Sequence, residues 1–545
     1  MSHARPIPSA VPRVSPRGTD LAAIGILLAA LGLVLFATLR TPLKDDIAWL
    51  LYVARKWMEG KQLYIDLVEI NPPLIIWLSA VPVKLGAWLG VPSRVAAMPF
   101  FALLVLGCAA WTAWLLRPLD ALFARPIPVF AAIGGVLLLI PGPEVGQREH
   151  LLFAASLPYL AVLLRALAAI PASARAAFLS GILAGLGVAM KPRYALAFAA
   201  VELFVLLRGL RPWRAQALGA GLLLLGYAGL TVWLYPAYLE RAVPLALAIY
   251  GATDVTFQTL LWESRVMLLG LAALAVLTLL AFRRADRHRA IFLVLLLYAA
   301  ASALVCFMDG KDWYYHRLPA IIATCLAVLL WLAWQAPAVL AGRGRAVAPA
   351  ALAAATCLMF ATASAQRIEP RLRLAFDPDV STEAKLQRLL KKERAFTYVA
   401  FSEWIALGFP VVTDTEVTWA SRFDSMWALK GELWRAQFDP EGAQHWPVRH
   451  WVARDFVAGC PDVVVADARG GPNYIGILSA SNSAFARAWV GYRQIAAFDG
   501  LIVYRRDADG CGEVPPADPP MAHPDPAEIN APTRPMPSRA QSGSR

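Results

Sequence analysis

Apolar residues fill long, nearly unbroken runs along the first two thirds of the chain, and give way to an ordinary polar mixture after residue 365. A helix that crosses a bilayer needs about 20 predominantly apolar residues. The first run, Leu21–Leu39, meets that length. It is long for a signal-peptide core and lacks a convincing cleavage site, so it reads as an uncleaved anchor. Further runs lie at 94–116, 127–141, 150–169, 176–190, 194–207, 215–235, 265–282, 290–308, 318–336 and 347–364, for eleven expected spans. A polytopic α-helical membrane protein is expected. Residues 366–510 instead alternate short apolar strands (Phe396–Phe401, Pro410–Val412, Asp462–Ala466) with helical stretches. They close on a hairpin over Tyr492–Arg505, as in a modest α/β domain. The ends, 1–18 and 511–545, have no apolar periodicity and read as disordered tails.

One more apolar segment, Pro72–Gly90, opens on two prolines and carries Pro82 and Lys84. Charge decides its place. If it does not span, Arg117, Arg125, Arg208, Arg211, Arg214, Arg283, Arg284, Arg287, Arg289, Arg343 and Arg345 all fall on one side. The positive-inside rule makes that side cytoplasmic, with the 366–510 domain outside. The outer face then collects Asp45, Asp46, Glu59, Asp66, Glu69, Glu144, Glu149, His150, Glu240, Asp254, Asp309, Asp312 and His316. Chemistry needs such groups, so the outer face is where it is expected.

Composition removes the competing classes. Hydrophobic residues make up 59% and charged ones 16%, and mean hydropathy is +0.54. Soluble proteins run near 45–50% and about 25% respectively. A wholly soluble enzyme, a disordered chain and a small disulfide scaffold are excluded. The net charge of +13 punctuates the apolar runs, which suits anionic lipid headgroups rather than nucleic acid. Cys108, Cys306, Cys325 and Cys357 sit in apolar runs. Cys460 and Cys511 lie outside them; they pair if the domain is exported to an oxidising compartment, and stay thiols otherwise.

The first outer loop, 41–93, begins TPLKDDIAWLLYVARKWMEGKQLYIDLVEINPPLIIWL. Helical periodicity from Lys44 to Glu59 sets Ile47, Leu50, Leu51, Ala54 and Met58 on one side and Asp45, Trp49, Tyr52 and Lys56 on another. An amphipathic helix at the interface would hold the second face in water. The two acids either carry chemistry or only favour the helix N-terminus.

An acidic pair after the first span, an amphipathic helix and an acid shortly before Pro-Pro-Leu resemble the GT-C glycosyltransferases. The resemblance is to the protein O-mannosyltransferase and lipid A aminoarabinose transferase superfamily, specific over Thr41–Leu78 and topological beyond. It implies a GT-C-like fold, a 19–365 catalytic module and a polyprenyl-phosphate sugar as donor at the outer face. It implies catalytic roles for Asp45 and Asp46, Asp45 leading, and for Glu149 at the next loop-to-helix junction. Glu69 matches the acid before Pro72-Pro73. The branch nearest in topology has Lys before the prolines, contacting the donor phosphate; this chain has Asn71.

Basic residues at an outer boundary run against the positive-inside trend, and a polyprenyl phosphate would explain them. Lys191, Arg193, Lys311, His316 and Arg317 are candidate phosphate contacts, and Tyr315 a sugar-stacking ring. Tyr52, Glu69, Asn71, Arg148 and His150 complete the expected substrate-binding set. Asp45 and Glu149 are candidates to share a divalent metal ion. The expected function is a hexosyl- or pentosyltransferase in the bacterial inner membrane, using a lipid A, polysaccharide or protein acceptor, with membrane lipids as its other partners. A flippase for a lipid-linked glycan and a non-catalytic GT-C-like scaffold are the alternatives.

Overall fold

The computed structural model describes residues 16–281, 286–341, 344–415, 417–507 and 510–515. Most of both tails, Arg283, Arg284 and Arg343, and the side chains of Arg287 and Arg345 fall outside what is described. The first helix, α1 (Pro16–Leu39), leads into α2 (Asp45–Met58) and α3 (Pro73–Leu89). There follow α4 (Ser93–Leu116), α5 (Pro126–Leu139), α6 (Arg148–Leu167), α7 (Ala174–Met190), α8 (Ala195–Leu207) and α9 (Ala215–Leu234). Two short helices, α10 (Val243–Ile249) and α11 (Phe257–Glu263), precede α12 (Arg265–Ala281), α13 (Asp286–Asp309), α14 (Tyr314–Leu340) and α15 (Gly344–Phe376). Each of the eleven apolar runs falls on one of these helices. Among the described residues seven helices are long and apolar enough to cross a membrane alone, or eight if α11 and α12, bent by 63°, are one span.

The helices alternate in direction, and their ends are chemically distinct. At one end Arg125 pairs with Asp20 at 2.7 Å, and Arg214 pairs with Glu202, which also accepts from Tyr159. At the other, Lys44 reaches Glu144, Lys191 reaches Glu149, Tyr314 donates to the Ile140 carbonyl and Arg371 to Thr41. The chain enters the α2–α3 segment after Thr41 and leaves it before Arg94 at this same end, where Arg94 pairs with Asp414 of the C-terminal domain at 3.3 Å. The segment therefore changes no sides, and the acids and the C-terminal domain share one end of the bundle.

Beyond α15 come α16 (Thr382–Lys392), β1 (Thr397–Phe401), α17 (Val411–Thr415), β2 (Thr418–Trp419) and α18 (Trp427–Arg435). Then β3 (Val463–Asp467), β4 (Tyr492–Phe498) and β5 (Leu501–Arg506) complete a five-stranded sheet in the order β2-β1-β3-β5-β4. β1 runs parallel to β2 and β3, with Tyr398 beside Val463, and β5 runs antiparallel to β3 and β4. The strand expected over Pro410–Val412 is instead the start of α17. A short, fully apolar run is ambiguous between helix and buried strand; here it packs on α2, where the Thr413 hydroxyl donates to the Ala48 carbonyl at 3.0 Å.

That contact overturns a second expectation. Trp49 and Tyr52 do not face water. They are buried against Phe409 of the C-terminal domain, at centroid distances of 4.8 and 5.0 Å, and Phe409 packs in turn on Trp419. Residues 47–54 are all buried, so α2 lies between the bundle and the domain rather than on a lipid surface. α18 closes the other flank. Gly431 sits where a Cβ would lie 2.6 Å from the Ile249 carbonyl oxygen, and Trp427 stacks edge-on to Tyr250 at 5.1 Å.

Two predictions follow from this layout. Reporter fusions after Arg214, Arg289 and Ala365 are expected to read inside, inside and outside; the reverse pattern would turn the bundle over. Cys460 and Cys511 are joined, with 51 residues of separation. Non-reducing peptide mapping should recover the linked pair, and Cys460→Ser should destabilise the domain by up to about 4 kcal/mol on the chain-entropy account. Free thiols at both positions would contradict the bridge.

Candidate active site

The two acids that open α2 do different things. Asp45 Oδ1 accepts from the Asp46 backbone N–H at 2.9 Å and from Lys44 Nζ at 3.0 Å, so it acts as a helix-terminal acid paired with its own neighbour. Asp46 turns toward the start of α6. Its Oδ2 accepts from Gln147 Nε2 at 3.1 Å and its Oδ1 lies 3.8 Å from the Arg148 guanidinium. Gln147 also donates to Glu144 at 3.3 Å, and Glu144 lies 3.7 Å from Lys44. Gly146 makes this approach possible. It adopts φ +94°, and a Cβ there would stand 2.8 Å from the Phe101 ring.

Burial pushes the Asp46 carboxyl above its usual range and Asp45 adds to the shift, against the pull of Arg148 and Lys44. Burial likewise lifts Glu144 to about 7, with Lys44 opposing and Asp45 and Asp46 reinforcing. For Lys44, burial works against the charge, yet Asp45, Glu144 and Asp46 together hold its pKa above the ordinary lysine range.

Around Asp46 stand Arg148, Tyr315, Tyr250, Glu69 and Asp424. The Arg148 guanidinium lies 5.9 Å from the centre of the Tyr315 ring. Burial raises the Tyr250 hydroxyl, and the charges acting on it are, in order, Asp46, Arg148, Asp424 and Glu69. Glu69 accepts from Trp49 Nε1 at 2.6 Å and from the Asn71 backbone N–H at 2.8 Å, and from the Asn71 side-chain amide as well. The Asn71 amide is thus engaged by Glu69 at the turn into α3.

A second cluster lies behind the first. Glu149 is fully buried, 3.0 Å from Lys191 and 3.6 Å from His316 Nε2; His316 Nδ1 lies 3.3 Å from Asp309, which also pairs with Arg193. Lys311 pairs with Asp254 and donates to the Tyr250 carbonyl, while Arg317 donates to the Glu263 and Asp312 carbonyls. His150 Nδ1 accepts from the Gly146 N–H at 3.2 Å.

The candidates therefore separate. Asp46, Glu69, Arg148 and Tyr315 come together, with Asp45 on the outer side of the same group. Of the outer-boundary bases, Lys191, Arg193 and Lys311 are matched by acids and Arg317 by carbonyls, so phosphate is not needed to explain their place. Tyr52 packs on the C-terminal domain. Tyr250 and Asp424 were missed, since neither lies in a local motif, and Glu144 stood in the outer-face inventory without a role. Asp45 and Glu149, the pair expected to share a divalent ion, each lie 3.0 Å from a lysine, and no group of three His, Cys, Asp or Glu able to hold a metal occurs among the described residues.

No family model and no curated protein matches the chain. Among solved structures, the crystal structure of ArnT from Cupriavidus metallidurans bound to undecaprenyl phosphate is similar, with a TM-score of 0.52 and 14% identity, over 92% of this chain and 100% of that one. The likeness is one of fold.

The state of Glu144 has a measurable consequence. Its folded pKa near 7 lies above the ordinary 4.5, so the folded protein holds a proton there that the unfolded chain releases. That stabilisation is complete below about pH 4.5 and is lost as pH rises through about 7. Thermal stability in detergent should fall between pH 5 and 8 in the wild type and fall less in Glu144→Gln. Equal slopes would assign the decline to other groups.

Proposed function

We propose that the chain is an integral-membrane glycosyltransferase that moves a sugar from a polyprenyl-phosphate donor to a hydroxyl acceptor on the outer side of a bacterial inner membrane. The observation that carries this reading is Asp46. In a GT-C-like fold, it is a carboxylate facing a shared site at the end of the bundle, 3.8 Å from a buried guanidinium. The arginine-rich opposite end supports the outward orientation. The fold likeness to a protein crystallised with undecaprenyl phosphate supports the donor class.

The chemistry is a single displacement. The acceptor oxygen attacks the anomeric carbon, a C–O bond forms, and the bond from that carbon to the phosphate oxygen breaks with its electron pair. The acceptor proton passes to Asp46, whose carboxyl is pushed by burial above its usual range, making it a stronger proton acceptor than an ordinary carboxylate. Arg148 supplies positive charge opposite the departing phosphate, the part that the resemblance gives to a lysine and that Asn71 does not fill. A transporter would need ionisable groups at mid-depth in the spans. The acids of this site lie instead at the helix ends, which favours the enzyme.

Cells lacking the gene should accumulate a lipid-linked sugar and lose that sugar from a surface glycan, lipid or protein. Complementation with Asp46→Asn should leave transfer about 10²–10⁴-fold below wild type at equal protein level. Asp45→Asn, which loses only a helix-terminal charge, should stay within about tenfold, because such charges are worth under about 1 kcal/mol. Unchanged lipid-linked sugars in the deleted strain would rule out the glycosyltransferase reading. The reverse order of the two variants would move the base to Asp45.

A further inference from the structure

Asp424 lies on the loop between β2 and α18, some 380 residues after Asp46, yet the two belong to one electrostatic neighbourhood. The loop is fixed from several sides. The Arg422 carbonyl accepts from the Val68 N–H at 2.8 Å, one residue before Glu69. Arg422 itself is held by Asp455 through its side chain and backbone N–H. The Phe423 carbonyl accepts from Trp419 Nε1 at 2.7 Å, and the Met426 N–H donates to the Ser402 carbonyl at 2.8 Å. Trp427 seals the far side against Tyr250. The carboxyl is thereby kept within electrostatic reach of Asp46, Glu69 and Tyr250.

We propose that Asp424 is a substrate-contacting residue of the transfer site, supplied by the C-terminal domain, and that it hydrogen-bonds a hydroxyl group of the sugar being transferred. The inference rests on the glycosyltransferase reading. Its chemistry follows from the neighbours. The charged groups that act on Asp424 are acids, Glu69 on the α2–α3 link and Asp46 on α2. Tyr250 faces it from the bundle, and Ser425 and Trp427 contact it from its own loop. Burial pushes its carboxyl up to about 8, and Glu69 and Asp46 push the same way. At neutral pH it is a carboxylic acid, able to donate a hydrogen bond. A sugar hydroxyl is both donor and acceptor, so a site holding both kinds of partner can fix its orientation. As pH rises through about 8 the donor is lost and a third negative charge appears beside the base.

The test uses full-length protein in membranes, with the lipid-linked sugar fraction extracted from cells lacking the gene as donor. Asp424→Ala should raise the apparent KM for that donor about 10-fold to 100-fold, the usual effect of a lost buried hydrogen bond. Asp424→Asn keeps a neutral donor of similar shape. It should stay within a few-fold of wild type at pH 7, and retain above pH 8 the activity that the wild type loses. The second result separates contact from mere structural support, since a variant that only loosened the loop would not gain alkaline activity. If Asp424→Ala fails to accumulate, the alkaline limb of Asp424→Asn decides alone. A wild-type KM in Asp424→Ala, or an alkaline decline unchanged in Asp424→Asn, overturns the inference and leaves the glycosyltransferase intact. An inactive wild type defeats both.

Discussion

Carboxylates can be buried only where cations or hydrogen-bond donors meet them, because an unpaired buried charge costs several kcal/mol. The organisation of this protein follows from meeting that demand at one end of a helix bundle. Lys44 serves Asp45 and Glu144, Gln147 bridges Asp46 and Glu144, Trp49 and Asn71 saturate Glu69, and Lys191 and His316 flank Glu149. Lys44, Gln147, Asn71 and Lys191 come from four different links between helices, so the acids also act as ties that bring the links together. The opposite end has mainly arginines, with a few carboxylates such as Asp20 and Glu202 paired to them.

The two acids that open α2 are compensated unequally. Asp45 and Asp46 are adjacent in sequence, but successive side chains on a helix point about 100° apart. One therefore turns to Lys44 and the loop while the other turns to α6 and the space beneath the C-terminal domain. Asp46 has an amide and a distant guanidinium, weaker compensation than the direct lysine contact of Asp45. A proton acceptor needs that asymmetry. A carboxylate bonded firmly to a lysine is a poor base, and one in open water gains nothing from its surroundings.

The helices of the bundle were legible in the sequence because unbroken apolar runs mark them, although only seven, or eight with the bent pair, are long and apolar enough to cross a membrane, against eleven expected. The site was legible only in part. Asp45, Asp46, Glu69, Arg148 and Glu149 stand at junctions between apolar runs and polar links, where a one-dimensional pattern is enough to mark them. What the pattern does not contain is pairing across long separations. Lys311 looked available for phosphate because Asp254 lies 57 residues earlier, and Arg193 because Asp309 lies 116 residues later. Tyr52 looked like a water-facing residue for the same reason, its covering ring, Phe409, being in another domain. The α17 error has a different origin: the run Pro410–Val412 is too short for its period to tell helix from strand.

The C-terminal domain completes the chain of dependence. Placed on an interface, α2 would keep Trp49 and Tyr52 among headgroups, and Asp46 in a high-dielectric layer where its pKa would stay ordinary. Seated on α2 through Phe409, Thr413 and Trp419, the domain turns a surface helix into a buried one. The same contact fixes where the covering loop ends, because Trp419 of the seat holds the Phe423 carbonyl one residue before Asp424. The roof that dries the base is continuous with the loop that brings a second carboxyl over it, so the chemistry of the bundle's mouth depends on a domain that contributes no span.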